Sequence, residues 1–280
     1  MGHRALRPGR WGVNYRLLAC DIDNTLVQFP DPPSARVEKA LRTAAGLGVT
    51  VCLVTGRAFR RARPVAEILG IDAPIICNHG GSIRDPRSGA VIHRHVLPDG
   101  LAREIVAWLQ GQQVQLLVFD GDTVYHDARA DEIVPDFQVY TRGKDSVYAP
   151  DLLAVLPETV EIVLSTSRDR AHLAALYERA QACYGERTRV LLSHPYGLDI
   201  LPKSSKSQAL SWLAAHLEIP RAQVMAVGDG ANDADMLAWA GLGVALSNGA
   251  PEALESADVL APSFDDDGLA WAVERYVLSK

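Results

Sequence analysis

Tyr15-Arg16-Leu17-Leu18-Ala19-Cys20-Asp21-Ile22-Asp23-Asn24-Thr25 runs an apolar stretch straight into an acidic turn. Far along the chain the arrangement recurs: Val224-Met225-Ala226-Val227 leads into Gly228-Asp229-Gly230-Ala231-Asn232-Asp233. A short apolar run bounded by turn residues reads as a buried strand, so each acidic cluster stands at a strand end. In an open parallel sheet, ligands bind outside the carboxyl ends of the strands. The two clusters can therefore converge on one site.

Working outward, the pattern from residue 15 to 78 alternates strand and helix. The strand Tyr15–Cys20 is followed by a helix from about Ser34, with the apolar face Val37, Ala40, Leu41, Ala44 and Leu47, closed by Gly46 and Gly48. Thr50–Val54 is a second buried strand, closed by Thr55-Gly56-Arg57. A helix carrying Val65, Ile68 and Leu69 follows, with Pro64 placed in its first turn, and Ile75–Cys77 is a short third strand. Continuous apolar strands in this order imply a parallel sheet with right-handed crossovers.

Between about 82 and 192 the strands lie closer together and read as half-exposed: Ala90–Val96, Gln115–Phe119, Thr123–His126, Thr159–Leu164 and Arg189–Leu192, with helices near 99–110 and 168–183. Asp120-Gly121-Asp122 is a hairpin signal, so an antiparallel α+β segment is expected here. The α/β rhythm then returns with a helix bearing Leu210, Leu213, Ala214 and Leu217, strand Val224–Val227, helix Asn232–Ala240, strand Leu242–Leu246 and a closing helix near 267–278. The expected fold class is α/β, a doubly wound parallel-sheet core formed by 15–81 and 193–280. An α+β cap domain, 82–192, is inserted into it, and 1–14 is an N-terminal arm read as disordered.

The chain has 280 residues, 48% hydrophobic and 22% charged, enough for a full core. Its formal charge of −6 argues against nucleic acid as the main partner, because binding a phosphate backbone needs a basic face. No stretch approaches the ~18 apolar residues of a membrane span. Cys20, Cys52, Cys77 and Cys183 lack metal-type CxxC spacing and read as reduced thiols, which favours a cytoplasmic location. Oligomeric state stays open.

Carboxylates gathered at one point repel unless a hard cation neutralises them, and Mg²⁺ with oxygen ligands is the usual solution. Asp21 and Asp23, two positions apart at a strand end, can divide the labour of attack and proton transfer. A turn rich in Asx chemistry accounts for the same residues taken alone. Thr55 and Gly56 can offer a hydroxyl and close-lying backbone N–H groups to phosphoryl oxygens, and Arg57 adds charge, although TGR by itself is also an ordinary strand-to-helix turn. Lys206 begins a helix whose Ser205 and Gln208 have capping-box spacing, so it stands at an end that favours anions, with a surface lysine as the alternative. Asp229 follows its strand directly; for Asp233 a pure helix cap is an alternative role.

Taken in order, DIDNTL, VTGR, Lys206 and GDGANDADML resemble the haloacid dehalogenase superfamily of phosphotransferases. The tail from Ala240 to Asn248, with Ala257-Asp258 and Asp267-Gly268 beyond, resembles its Cof-type branch, which carries a large α/β cap. The resemblance implies a Mg²⁺-dependent phosphatase acting on a small, sugar phosphate-like phosphomonoester through an aspartyl-phosphate. Asp21 would be the nucleophile and Asp23 the general acid/base. Thr55 and Lys206 would bind the phosphoryl group, assisted by Gly56 and Asn232. Asp21, Asp23 through its carbonyl, and Asp229 would hold the metal, supported by Asp233. A phosphohexomutase and a non-enzymatic phosphoryl-binding switch are the alternatives. Some positions depart from the family pattern, among them Asn248-Gly249 in place of Asn-Ala. Asn24 replaces the usual Gly after the second Asp, and His79-Gly80-Gly81 stands where Asn-Gly-Ala is usual, leaving His79 either touching substrate or filling a hinge.

Overall fold

The computed structural model describes residues 15–28, 31–98 and 100–279. The expected arm, 1–14, lies outside them. The chain begins with β1 (Leu17–Cys20), α1 (Ala35–Gly46), β2 (Thr50–Leu53), α2 (Phe59–Leu69) and β3 (Ile75–Cys77), then β4 (Ser82–Arg84) and β5 (Val91–Arg94). Next come α3 (Leu101–Gln110), β6 (Gln115–Asp120), β7 (Thr123–His126), β8 (Ser146–Tyr148), α4 (Leu152–Val155), β9 (Ile162–Thr166), α5 (Arg170–Tyr184), β10 (Arg189–His194) and β11 (Gly197–Leu201). The last stretch holds α6 (Lys206–His216), β12 (Val224–Gly228), α7 (Ala234–Trp239), β13 (Leu242–Leu246), α8 (Pro251–Ser256), β14 (Val259–Ala261) and α9 (Gly268–Val273).

Two compact units result, one made of the residues up to His93 together with Ser205 onward, the other of Arg94–Ser204. The divisions fall beyond the expected 82 and 192, because β4 and β5 extend the antiparallel sheet begun by β3, while β11 pairs between β9 and β10.

The first unit is built on a parallel sheet in the order β14-β13-β12-β1-β2. Side chains alternate between its faces, as the strand period requires. Leu18 and Cys20 of β1 join Met225 and Val227 of β12 in one apolar cluster, under α1, α2 and α9. Leu17, Ala19, Val224 and Ala226 join the other, under α6, α7 and α8. Both faces are covered, which is why the strands read as unbroken apolar runs. Because β1 lies between β2 and β12, the chain leaves it in opposite directions, and the crevice at its carboxyl end is the switch point of the sheet.

Two local expectations fail. Pro64 lies inside α2, not in its first turn. The helix begins earlier because Phe59 and Ala62 already belong to the buried stripe continued by Val65, Ala66 and Leu69. Leu47 is the exposed C-cap of α1 and no part of its buried face.

The second unit carries a mostly antiparallel sheet, β10-β11-β9-β6-β7-β8, with one parallel pair, β7 and β8. Leu116, Val118, Val163, Leu198 and Ile200 pack with α3 and α5 residues on one face. Among the described residues no helix is long and apolar enough to cross a membrane. Cys20, Cys52 and Cys77 are buried thiols, and Cys183 is an exposed one.

Asp199 of β11 is a buried acid in the second unit. Burial pushes its carboxyl up to about 6, against a hydrogen bond with Ser193 that lowers it. An unfolded aspartate titrates near 3.9, so the folded chain holds this proton more tightly and stability falls as pH rises through that interval. Asp199→Asn should cancel the penalty. Relative to wild type, the variant should gain about 2 kcal/mol between pH 4 and pH 7.5, measured as the pH-dependent difference in denaturation free energy.

Candidate active site

Four strand-end or helix-start segments of the first unit supply the site. Asp21 is the first residue past β1; its N–H donates to the Val227 carbonyl at 3.0 Å, so the chain stays tied to β12 as it leaves the sheet. The following turn closes when Leu26 and Val27 each donate to the Ile22 carbonyl at 2.9 Å. Asn24 takes the left-handed conformation there at φ 58°, a region asparagine tolerates better than most residues. The same turn presents the Thr25 hydroxyl, which donates to Asp229 Oδ1 at 2.7 Å.

Asp229 follows β12, and its N–H and that of Gly230 donate to Asp233 Oδ2 at 3.1 and 2.8 Å. Asp233 thus closes the loop before it, while making no side-chain cap bond to α7, the helix it precedes. Its other oxygen, Oδ1, accepts from the Lys206 ammonium. Lys206 is the first residue of α6, capped by Ser205, whose hydroxyl accepts from the Gln208 N–H at 3.3 Å. The lysine is 0% exposed, and its Nζ also donates to Asp21 Oδ1 at 2.6 Å. A surface role for Lys206 is thereby overturned.

One ammonium faces three carboxylates. Asp21, Asp229 and Asp233 can each place an oxygen within 4.8 Å of the others. Burial, with Asp233 adding to it, holds the Asp21 carboxyl well above the usual range despite Lys206. Burial also pushes Asp229 up to about 6, opposed by the Thr25 hydroxyl and reinforced by Asp233. Burial opposes the charge of Lys206 as well, but Asp21 and Asp233 together outweigh it and raise its pKa. The cluster thus has more negative charge than its lysine offsets, and its donors are hard oxygens. That donor set fits Mg²⁺.

Thr55, fully buried beyond β2, is fixed by its N–H donating to the Ile76 carbonyl at 2.9 Å. Its Oγ1 accepts from the Arg57 N–H at 3.1 Å, leaving the hydroxyl proton to donate elsewhere. The Asp23 carboxylate is turned to Arg57, whose guanidinium grips it through Nε at 2.9 Å and Nη2 at 2.5 Å. Asp23 is half-exposed, in contrast to the buried cluster.

His79 lies inside the first unit. Its ring covers Gly56 so closely that a Cβ there would meet the ring Cε1 at 2.3 Å, and the Asn232 amide nitrogen lies 3.2 Å from its Nδ1. The sequence reading missed Thr25 as a partner of Asp229, and also Asp235, which accepts from the Ser207 N–H and hydroxyl at 3.2 and 2.7 Å and so ties α6 to α7. Arg84 is buried against Phe59 and donates to the Gly89 carbonyl.

Comparison with known proteins places these residues in context. A family model described as haloacid dehalogenase-like hydrolase matches residues 18–273. The phosphatase YwpJ of Bacillus subtilis is 29% identical, over 91% of this chain and 97% of that protein. The 5-amino-6-(5-phospho-D-ribitylamino)uracil phosphatase YitU of the same organism is 24% identical, over 93% of this chain and 97% of its own length. A crystal structure of a haloacid dehalogenase-like hydrolase from Bacteroides thetaiotaomicron superposes with a TM-score of 0.81 at 26% identity, covering 94% of this chain and 99% of that one.

Removing the Lys206 charge leaves Asp21 and Asp233 buried without their cation. Lys206→Met, similar in length, should therefore destabilise the protein by about 3–5 kcal/mol in chemical denaturation at neutral pH. A loss below about 1 kcal/mol would show that the pair contributes little to the fold.

Proposed function

The chain belongs to the haloacid dehalogenase-like hydrolases, in their Cof-type branch, and we propose that it hydrolyses a small phosphorylated metabolite by way of an aspartyl-phosphate. Phosphatase chemistry is the class its relatives carry. The observation that carries the mechanism is the buried Lys206 ammonium shared by Asp21 and Asp233 beside Asp229, a set of charges suited to a phosphoryl dianion and a divalent cation.

Asp21 is assigned as the nucleophile. Its free oxygen attacks phosphorus while the ester P–O bond breaks, and Lys206 orients the attacking carboxylate through its other oxygen. Asp23 is assigned the proton transfers: leaving its Arg57 partner, it protonates the departing alkoxide, then takes a proton from the water that attacks the aspartyl-phosphate. That second displacement frees Asp21 and inorganic phosphate. Thr55 donates its hydroxyl, and Gly56 its backbone N–H, to the non-bridging oxygens.

Asp21, Asp229 and the Asp23 carbonyl, with Asp233 in support, would hold Mg²⁺. When bound, the ion offsets the charge of the carboxylates and of the phosphoryl group. A sugar phosphate-like substrate is supported by YitU, whose named substrate carries its phosphate on a ribityl chain. Choice among phosphomonoesters is assigned to the inserted unit, Arg94–Ser204, proposed as the cap, since every residue named above lies outside it. The buried free thiols support a cytoplasmic location.

Asp21→Asn should abolish turnover while leaving the circular dichroism spectrum unchanged, because the amide is isosteric but a poor nucleophile. Retained activity in protein free of deamidation would remove Asp21 from its role. Excess chelator should silence phosphate release and Mg²⁺ restore it, with Asp229→Ala raising the Mg²⁺ concentration required. Full activity in chelator would sink the metal assignment. Asp23→Ala should slow hydrolysis of alkyl phosphates by roughly 10²–10⁴-fold and that of an activated aryl phosphate far less, since a good leaving group needs no proton.

A further inference from the structure

After β3 the backbone makes a turn of the wrong hand for L-residues. Asn78, His79 and Gly80 have φ of 53°, 54° and 94° in succession, and the Gly81 N–H closes the turn on the Asn78 carbonyl at 2.9 Å. Single left-handed residues are ordinary in loops, but runs of them are not. A segment held in a sparsely populated conformation persists only where its surroundings over-determine it.

Those surroundings are three of the segments assigned above to the phosphoryl group. The His79 N–H donates to the Thr55 carbonyl at 3.1 Å and the Asn78 N–H to the Arg57 carbonyl at 3.0 Å, clasping the turn after β2 from both sides. The His79 ring occupies the space a Cβ on Gly56 would need, with Cε1, Nε2 and Nδ1 at 2.3, 2.7 and 2.9 Å from that point. Across the ring, the Asn232 amide donates to Nδ1 at 3.2 Å, which joins the turn after β12. Gly80 meets the third segment: a Cβ on it would come 2.2 Å from the Ser205 carbonyl oxygen and 3.0 Å from the Lys206 nitrogen. The left-handed turn therefore bears on the Thr55 segment, the start of α6 and the Asp229–Asp233 loop together.

We propose that His79 is a positioning residue, its imidazole acting as the spacer that sets the Thr55–Gly56 turn at a fixed separation from the Asn232 loop. The inference rests on the phosphatase reading. Its function is to keep the donors from Thr55, Lys206 and the Asp229 loop in register as phosphorus passes from four to five substituents and back. Such registration matters most where the phosphoryl oxygens spread apart, so its removal should cost the transition state more than the bound product.

Two substitutions tolerate the backbone of residue 79 and remove the ring: His79→Asn and His79→Gly. The probes are orthovanadate, which adopts the five-coordinate geometry, and inorganic phosphate, both measured as inhibitors of aryl phosphate hydrolysis alongside the kinetics of an alkyl phosphate. Wild type should hydrolyse both esters. In the variants vanadate inhibition should weaken at least tenfold and kcat fall by a similar factor, while phosphate inhibition and KM stay within about threefold and the melting temperature stays close to wild type. Vanadate inhibition within threefold of wild type in both variants would overturn the proposal. Parallel weakening of vanadate and phosphate, with a lowered melting temperature, would overturn it too, because a purely structural ring does not separate the two anions. Wild type that hydrolyses neither ester would overturn the phosphatase reading, and this inference with it.

Discussion

A fully buried ammonium has to find its counter-charges inside the protein, and in this chain it finds them on two elements at once. Lys206 reaches Asp21 beyond β1 and Asp233 beyond β12, so the start of α6 must lie over the carboxyl end of the sheet's central strands. The rest of that neighbourhood serves the requirement. Ser205 caps the helix, Ser207 ties it to Asp235, and Gly80 lacks the Cβ that would push its first turn away. Asp233 divides its two oxygens between the lysine and the backbone of the loop it closes. The same contacts that satisfy the lysine leave Asp229 and the outer side of Asp21 with surplus negative charge, and that surplus is what makes the crevice receptive to a cation.

The sheet keeps apolar and polar duties apart along its own axis. Within the strands, alternate residues feed two apolar clusters with no buried charge; one residue past the ends of β1 and β12, the acids begin. β1 and β12 thus keep their bodies apolar and their charge just past their ends. A change to Asp21 or Asp229 touches little of the core.

What could be read from the chain was whatever is local. An apolar run followed by Asp21, or by Gly228-Asp229, carries its meaning in consecutive residues, and the α/β core follows from strand and helix periods of the same kind. Ser205 and Gln208 announced the helix start for similar reasons. The burial of Lys206 was not legible, because it depends on acids 185 and 27 positions away. Nor was the bond from Thr25 to Asp229, which spans 204 residues. Pro64 misled because proline normally marks a first turn, whereas here the buried stripe of α2 starts at Phe59 and carries the helix through it. In the second unit β11 went unread, since Asp199 interrupts an apolar strand with a buried acid. The short β4, β8 and β14 offer three residues each, too few to establish any period.

The pairing of β1 with β12 also orders events in time. During synthesis β1 emerges early and can pair at once with β2, but its other edge stays open until Val224–Gly228 has been made. Arg94–Ser204, with its own sheet and apolar cluster, is complete in sequence before that strand is made, and domains commonly fold as units in the order they are synthesised. A nascent chain that has reached the end of the inserted unit therefore displays Asp21 and Thr55 without the lysine, the second acidic loop or half of the sheet. Closing contacts of such long range is slow. Until the last quarter of the chain has joined the first, the buried pairing of Lys206 with Asp21 and Asp233 does not exist.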